Sequence, residues 1–291
     1  PSNIPLELGK HSSMFTQPKE MTEADIEDVI KRFTTTATKA EEAGFDGVEI
    51  HAAHGYLLSQ FLSPLVNKRI DKWGGEILNR SRLLIDIVNS VKTAVSSKFS
   101  VSVKLNSADF QRGGFDINDA IFVVQQLEAT NIDFVELSGG SYEAPAMQGR
   151  SDDANILSRE AYFLEFAKLI ATQTKLKIMI TGGISRLAVA NQVVNEHIDL
   201  VGIASAMAYH SDLVKVWKSD PEVVAFTPKV NWKNKTLSAL ATMALVRRQL
   251  QRIGKLKGAK QDASPLFSLI QDRLRLARLT KRYRKCVLGK P

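Results

Sequence analysis

The stretch DGVEIHAAHGYLLSQFLSP, residues 46–64, decides how the chain reads. Val48 and Ile50 lie in a short run of strand formers that follows the turn-prone pair Ala43-Gly44. Directly behind that run come His51, His54 and Tyr56, three polar rings within six positions. A chain leaving a buried strand ordinarily turns into solvent. In a parallel α/β sheet or barrel, however, the carboxyl end of a strand is where chemistry is placed.

The pattern on either side supports such a sheet. Upstream, Thr22-Glu-Ala-Asp25 resembles a capping box ahead of Ile26, Val29, Ile30 and Phe33 at helical spacing. Downstream, after a long polar loop, Leu83, Leu84, Ile87, Val88 and Val91 mark the next helix. Strands are then predicted at 100–105, 132–137, 176–181 and 198–203, with helices at 119–129, 158–172 and 186–195 between them. Five strands, each followed by a helical segment, suit a (β/α)8 TIM barrel, which usually takes about 250 residues. Only five strands are visible, and an open doubly wound sheet is the alternative.

Beyond Pro228 the pattern turns basic and helical, with helices predicted at 237–253 and 266–279. Residues 229–291 carry 17 Lys or Arg against Asp262 and Asp272, while the rest of the chain carries 22 basic and 29 acidic residues. The expected organisation is therefore a partial barrel over 1–228 and a basic helical extension over 229–291. The extension is expected to dock on the acidic body, with peripheral contact to anionic lipid as the alternative and no nucleic acid as partner. A single cysteine, Cys286, excludes a disulfide framework and a cysteine-based metal site, and points to a cytoplasmic setting. No uncharged apolar run approaches the roughly 20 residues of a membrane span.

Three constellations could carry chemistry. Neutral His51 and His54 can donate N–H bonds to one oxygen on which negative charge develops, and Tyr56 can deliver a proton. A pair of structural histidines, or half of a metal site, is the bland reading; no third ligand stands at a recognisable spacing, and no metal is expected. Thr181-Gly182-Gly183-Ile184-Ser185 ends a strand and opens a helix, a place where backbone N–H groups can approach a phosphate. Lys104 is the only charge in SVSVKL; near the end of a buried strand it should meet an anion or a reduced cofactor, or serve as a Schiff-base nucleophile.

Together these segments resemble the Old Yellow Enzyme family of FMN-dependent oxidoreductases. The resemblance rests on EAGFDGVEIHAAHGYLLSQFLSPLVNKRIDKWGG with NRSRLL, on KLNSADFQRGGF, on ELSGGSYEAPAM and on the ITGGI turn, in the family's order over about residues 21–220. It looks closest to the bacterial branch with lysine on the fifth barrel strand. The resemblance implies FMN at the carboxyl face of an eight-stranded barrel whose first three strands would precede Pro1. It implies that NADH or NADPH is the reductant and that an α,β-unsaturated carbonyl is the acceptor. On that reading His51 and His54 hold the carbonyl oxygen, Tyr56 donates the proton, and Lys104 faces the flavin. Gly182 and Gly183 match the phosphate turn.

Besides those three strands, the chain departs from the family after the last strand, where the family usually has Gly-Arg, the arginine on the FMN phosphate. Here Ala204 and Ser205 stand there, and serine brings no charge; Arg186 is the substitute cation to test. The expected function is a flavin-dependent ene-reductase, working as a homo-oligomer. A non-catalytic binding barrel and a Lys104 Schiff-base lyase are the alternatives.

Overall fold

Thr22 opens the first helix as its sequence suggests. Its hydroxyl accepts from Asp25 N at 3.2 Å, and the Asp25 carboxylate accepts from Thr22 N at 2.8 Å, a reciprocal capping box. The computed structural model describes residues 1–7, 12, 16–141, 143–144, 146, 160–287 and 289, the side chains of 235 and 236 aside. Parts of ELSGGSYEAPAM (142, 145 and 147) and residues 158–159 of one predicted helix lie outside the described residues.

The first of two compact units holds residues 1–184 and 189–202. In chain order it runs α1 (Glu23–Glu42), β1 (Gly47–Ala52), α2 (Leu57–Leu62), α3 (Ile77–Ala94), β2 (Ser100–Asn106), α4 (Ile117–Glu128), β3 (Phe134–Ser138), α5 (Leu164–Ala171), β4 (Lys177–Thr181), most of α6 (Leu187–Asn195) and β5 (Leu200–Gly202). The five strands are all parallel and lie in the order β1-β2-β3-β4-β5. A doubly wound sheet reverses its strand order at a switch point; this sheet advances one strand at a time in one direction, as a barrel does. That sequential order removes the doubly wound alternative.

Alternation along each strand divides the sheet into two faces. Ile50 and Ala52, Val101, Val103 and Leu105, Val135 and Leu137, and Ile178 and Ile180 are all buried. The helices supply their partners: Leu83, Leu84, Ile87, Val88 and Val91 from α3, Val123, Val124 and Leu127 from α4, Ala167 and Ile170 from α5. The alternate positions share the other face, which is polar: Glu49 and His51, Ser102 and Lys104, Glu136 and Ser138.

Several element boundaries differ from the sequence reading. The "polar loop" after β1 contains α2, whose Leu58, Phe61 and Leu62 are buried. The helix predicted at 158–172 starts only at Leu164 among the described residues, and β5 is reduced to three residues. Arg186 precedes the first helical residue of α6 rather than lying inside the helix.

The second unit holds residues 185–188 and 203–291. It adds α7 (Ser205–Tyr209), α8 (Leu213–Ser219), α9 (Lys235–Ile253) and α10 (Pro265–Val287). Ala206, Leu213, Trp217 and Ala225 form one small core, and Val230, Ala241, Leu245 and Ala263 form another. Two short helices after β5 were not expected, and α10 runs eight residues past its predicted end. From Arg273 to Val287 every residue is exposed.

Candidate active site

The rings of His51, His54 and Tyr56 meet where β1 ends. The His51 and His54 centroids lie 5.1 Å apart, and those of His51 and Tyr56 lie 5.2 Å apart. His51 belongs to the strand, and Tyr56 is the N-cap of α2. Between them the backbone turns sharply through His54 (φ 62°) and Gly55 (φ 73°), and the left-handed conformation at a histidine needs support from its surroundings.

That support comes from the ends of the next two strands, β2 and β3. His54 N donates to Asn106 Oδ1 at 3.1 Å, and Asn106 Nδ2 donates to Asp109 Oδ1 (3.2 Å) and to the Gly140 carbonyl (3.1 Å). Asp109 also accepts from Ser63 Oγ at 2.6 Å and from Phe115 N at 3.0 Å. The loops after β1, β2 and β3 are thus tied through one buried amide and one buried carboxylate. The His54 ring is held in turn, its Nε2 lying 2.7 Å from Ser138 Oγ.

Across the polar face, register aligns His51 with Lys104 and Lys104 with Glu136. Lys104 Nζ forms a short ion pair with Glu136 Oε1, both side chains being largely buried. The anion that a strand lysine requires is therefore supplied from β3. An ion-paired ammonium has no free lone pair for a carbonyl, which speaks against the Schiff-base alternative.

The electrostatics favour uncharged imidazoles. Burial, then His51 and Lys104, lowers His54 to about 4. Burial and Lys104 also lower His51 from its ordinary value. Glu49 moves the other way: partial withdrawal from water, then the Glu136 carboxylate beside it, pushes it up to about 7.

A carboxyl with a raised native pKa adds stability at low pH and loses it as pH rises from about 4.5 to about 7. His54 is harder to protonate when folded, so its contribution grows with pH between about 4 and 6.5. Glu49→Gln removes only the first trend. The variant is expected to melt higher than the parent at about pH 8 and equally at about pH 4. Glu49 keeps much of its exposure, so screening holds the gain to about 1 kcal/mol. Thermal melts at the two pH values check it, and an equal shift at both would contradict the assignment.

Gly182 (φ 136°) and Gly183 (φ 71°) make the turn after β4. A Cβ on Gly183 would fall on the Tyr162 hydroxyl, and one on Gly182 would come within 3.0 Å of the same residue. Only glycine lets this backbone fold directly under the Tyr162 ring. Ala204 and Ser205 lie in the second unit, as the N-cap and first residue of α7, and Ala204 makes no side-chain cap. Two features of the first unit fit FMN in kind: a cation on the polar face and a glycine turn at a strand end. Asn106, Asp109, Ser138, Glu49, Glu136 and Tyr162 were not anticipated from sequence. For all but Tyr162 the only signal was a polar residue in or just beyond a strand.

The model of the NADH:flavin oxidoreductase / NADH oxidase family matches residues 2–221, more than two thirds of the chain. The chain belongs to that family. Among curated relatives, the NADH-dependent flavin oxidoreductase iliE of Neonectria sp. (strain DH2) is 32% identical over 260 residues, covering 84% of this chain and 34% of that protein. The chain spans about a third to somewhat over half the length of the first curated relatives it matches. Among solved structures, a 2-naphthoyl-CoA reductase complex with 2-naphthoyl-CoA matches at TM-score 0.64 and 28% identity, covering 72% of this chain and 32% of that one. The Old Yellow Enzyme homologue from Zymomonas mobilis matches at TM-score 0.58 and 22% identity, over 72% of this chain and 57% of that one, a level that speaks to fold. The five strands are accordingly part of a TIM barrel of the Old Yellow Enzyme type.

Proposed function

We propose that the chain is the substrate-handling part of a flavin-dependent oxidoreductase that draws on NADH or NADPH and reduces the activated C=C bond of an α,β-unsaturated carbonyl compound. The observation that carries this reading is the ring cluster of His51, His54 and Tyr56, two imidazoles held neutral beside a phenol. The name of the relative iliE supports NADH as the reductant. FMN, when bound, would supply a hydride taken from the nicotinamide to the β-carbon of the acceptor. Lys104 would offer it a cation and Gly182-Gly183 would hold its phosphate.

The chain's own groups do the remaining work. His51 and His54 each give an N–H to the carbonyl oxygen and stabilise the charge that collects there. Ser138 Oγ, 2.7 Å from Nε2, holds the His54 ring; with the hydroxyl as donor, the ring proton would sit on Nδ1 and serve as the N–H toward substrate. Tyr56 transfers its phenolic proton to the α-carbon. Asn106 and Asp109 hold the His54 turn in place throughout.

The test is product analysis with FMN-loaded protein, NADH and 2-cyclohexenone under anaerobic conditions. The expected product is the saturated ketone. Recovery of the allylic alcohol, or of unchanged enone with NADH intact, would contradict the proposal.

A further inference from the structure

Helix α10 carries a surface that the catalytic reading leaves unused. Its first turns pack within their own unit: Arg248 Nη1 donates to buried Ser268 at 3.0 Å, Leu269 joins the Val230 cluster, and Arg247 pairs with Asp272 at 2.9 Å. From Arg273 onward the helix is bare. Its last fifteen residues, 273–287, hold seven Lys or Arg and no acid. At 3.6 residues per turn, Leu276, Leu279, Tyr283, Cys286 and Val287 fall in one stripe about 100° wide. Leu274 apart, the cations fill most of the remaining circumference. The stripe is open to solvent: Leu276 is 48% exposed, Leu279 42%, Tyr283 59% and Val287 60%.

We propose that residues 273–287 are a membrane-surface helix that lies flat on an anionic bilayer. The apolar stripe would enter the acyl boundary, while Arg275, Arg278 and Arg282 meet lipid phosphates and carboxylates. Charge selects this occupant. A second copy seated on the same stripe would bring seven cations against seven. Nucleic acid would take the charge but leave four large apolar side chains in water. A negatively charged lipid surface satisfies both, and the Tyr283 ring suits the headgroup level. Fifteen residues reach about 22 Å, short of the roughly 30 Å hydrocarbon core, so the helix rests on the bilayer rather than crossing it. No described helix is long and apolar enough to cross a membrane.

The experiment is co-sedimentation of the full chain with phosphatidylcholine vesicles, with and without phosphatidylserine. Binding is expected only to the anionic vesicles, with release at high salt. Each Lys or Arg near such a surface is worth about fivefold in partitioning, so Arg275→Gln, Arg278→Gln and Arg282→Gln together should weaken binding roughly 100-fold. Leu276→Ser with Tyr283→Ser leaves the charge unchanged and should also weaken it. Both positions are solvent-exposed, so circular dichroism should show the helix content retained. Failure to sediment with anionic vesicles at low salt would overturn the proposal. So would undiminished binding by the double serine variant, or tighter binding to duplex DNA at equal phosphate concentration.

Discussion

Tyr56→Phe is expected to slow reduction of an enone about 10²–10⁴-fold in the FMN-loaded protein, the usual worth of a positioned general acid. The NADH half-reaction should keep its rate, because no proton from Tyr56 is needed there. The ring should stay where it is: its contact with His51 is through ring faces and edges, which phenylalanine retains. Tyr56 is also 47% exposed, so the substitution opens no cavity in the core. Stopped-flow measurement of the two half-reactions separates the outcomes. Equal slowing of both would make Tyr56 a structural residue and remove it from the proton path.

Lys104→Met is expected to cost about 3–5 kcal/mol of folding stability, because it strands the Glu136 carboxylate in a site that excludes most water. The double variant Lys104→Met with Glu136→Leu should recover most of the loss, since an apolar pair of similar volume carries no desolvation cost. Urea denaturation of parent, single and double variants reads this directly. A neutral single variant, or a double variant as unstable as the single, would mean the pair is solvated.

The elements that sequence made legible are those whose signals are local. Thr22 and Asp25 announce a helix start within four residues, and the alternation in SVSVKL announces a strand by itself. Helix α2 escaped because six residues give too short a window for a 3.6-residue period to show. His51, His54 and Tyr56 were readable as a group because one strand end and one turn hold them all. Their partners were not. Glu136 stands 32 residues from Lys104 and Ser138 stands 84 from His54, and both meet only once parallel register is fixed. Asn106 likewise reaches His54 across 52 residues. A one-residue shift of β3 would have turned Glu136 to the apolar face, and nothing in IDFVEL alone decides that register.

The central claim is that the His51–His54 pair stabilises negative charge on a bound oxygen. The direct measurement is the absorption spectrum of p-nitrophenol bound to the FMN-loaded protein, recorded well below the phenol's own pKa. A neutral N–H pair should draw the ligand into its phenolate form, visible as the yellow band of the anion. His51→Ala with His54→Ala should return the bound ligand to the colourless phenol. A ligand that binds as the neutral phenol in the parent, or as phenolate regardless of the two histidines, would contradict the account.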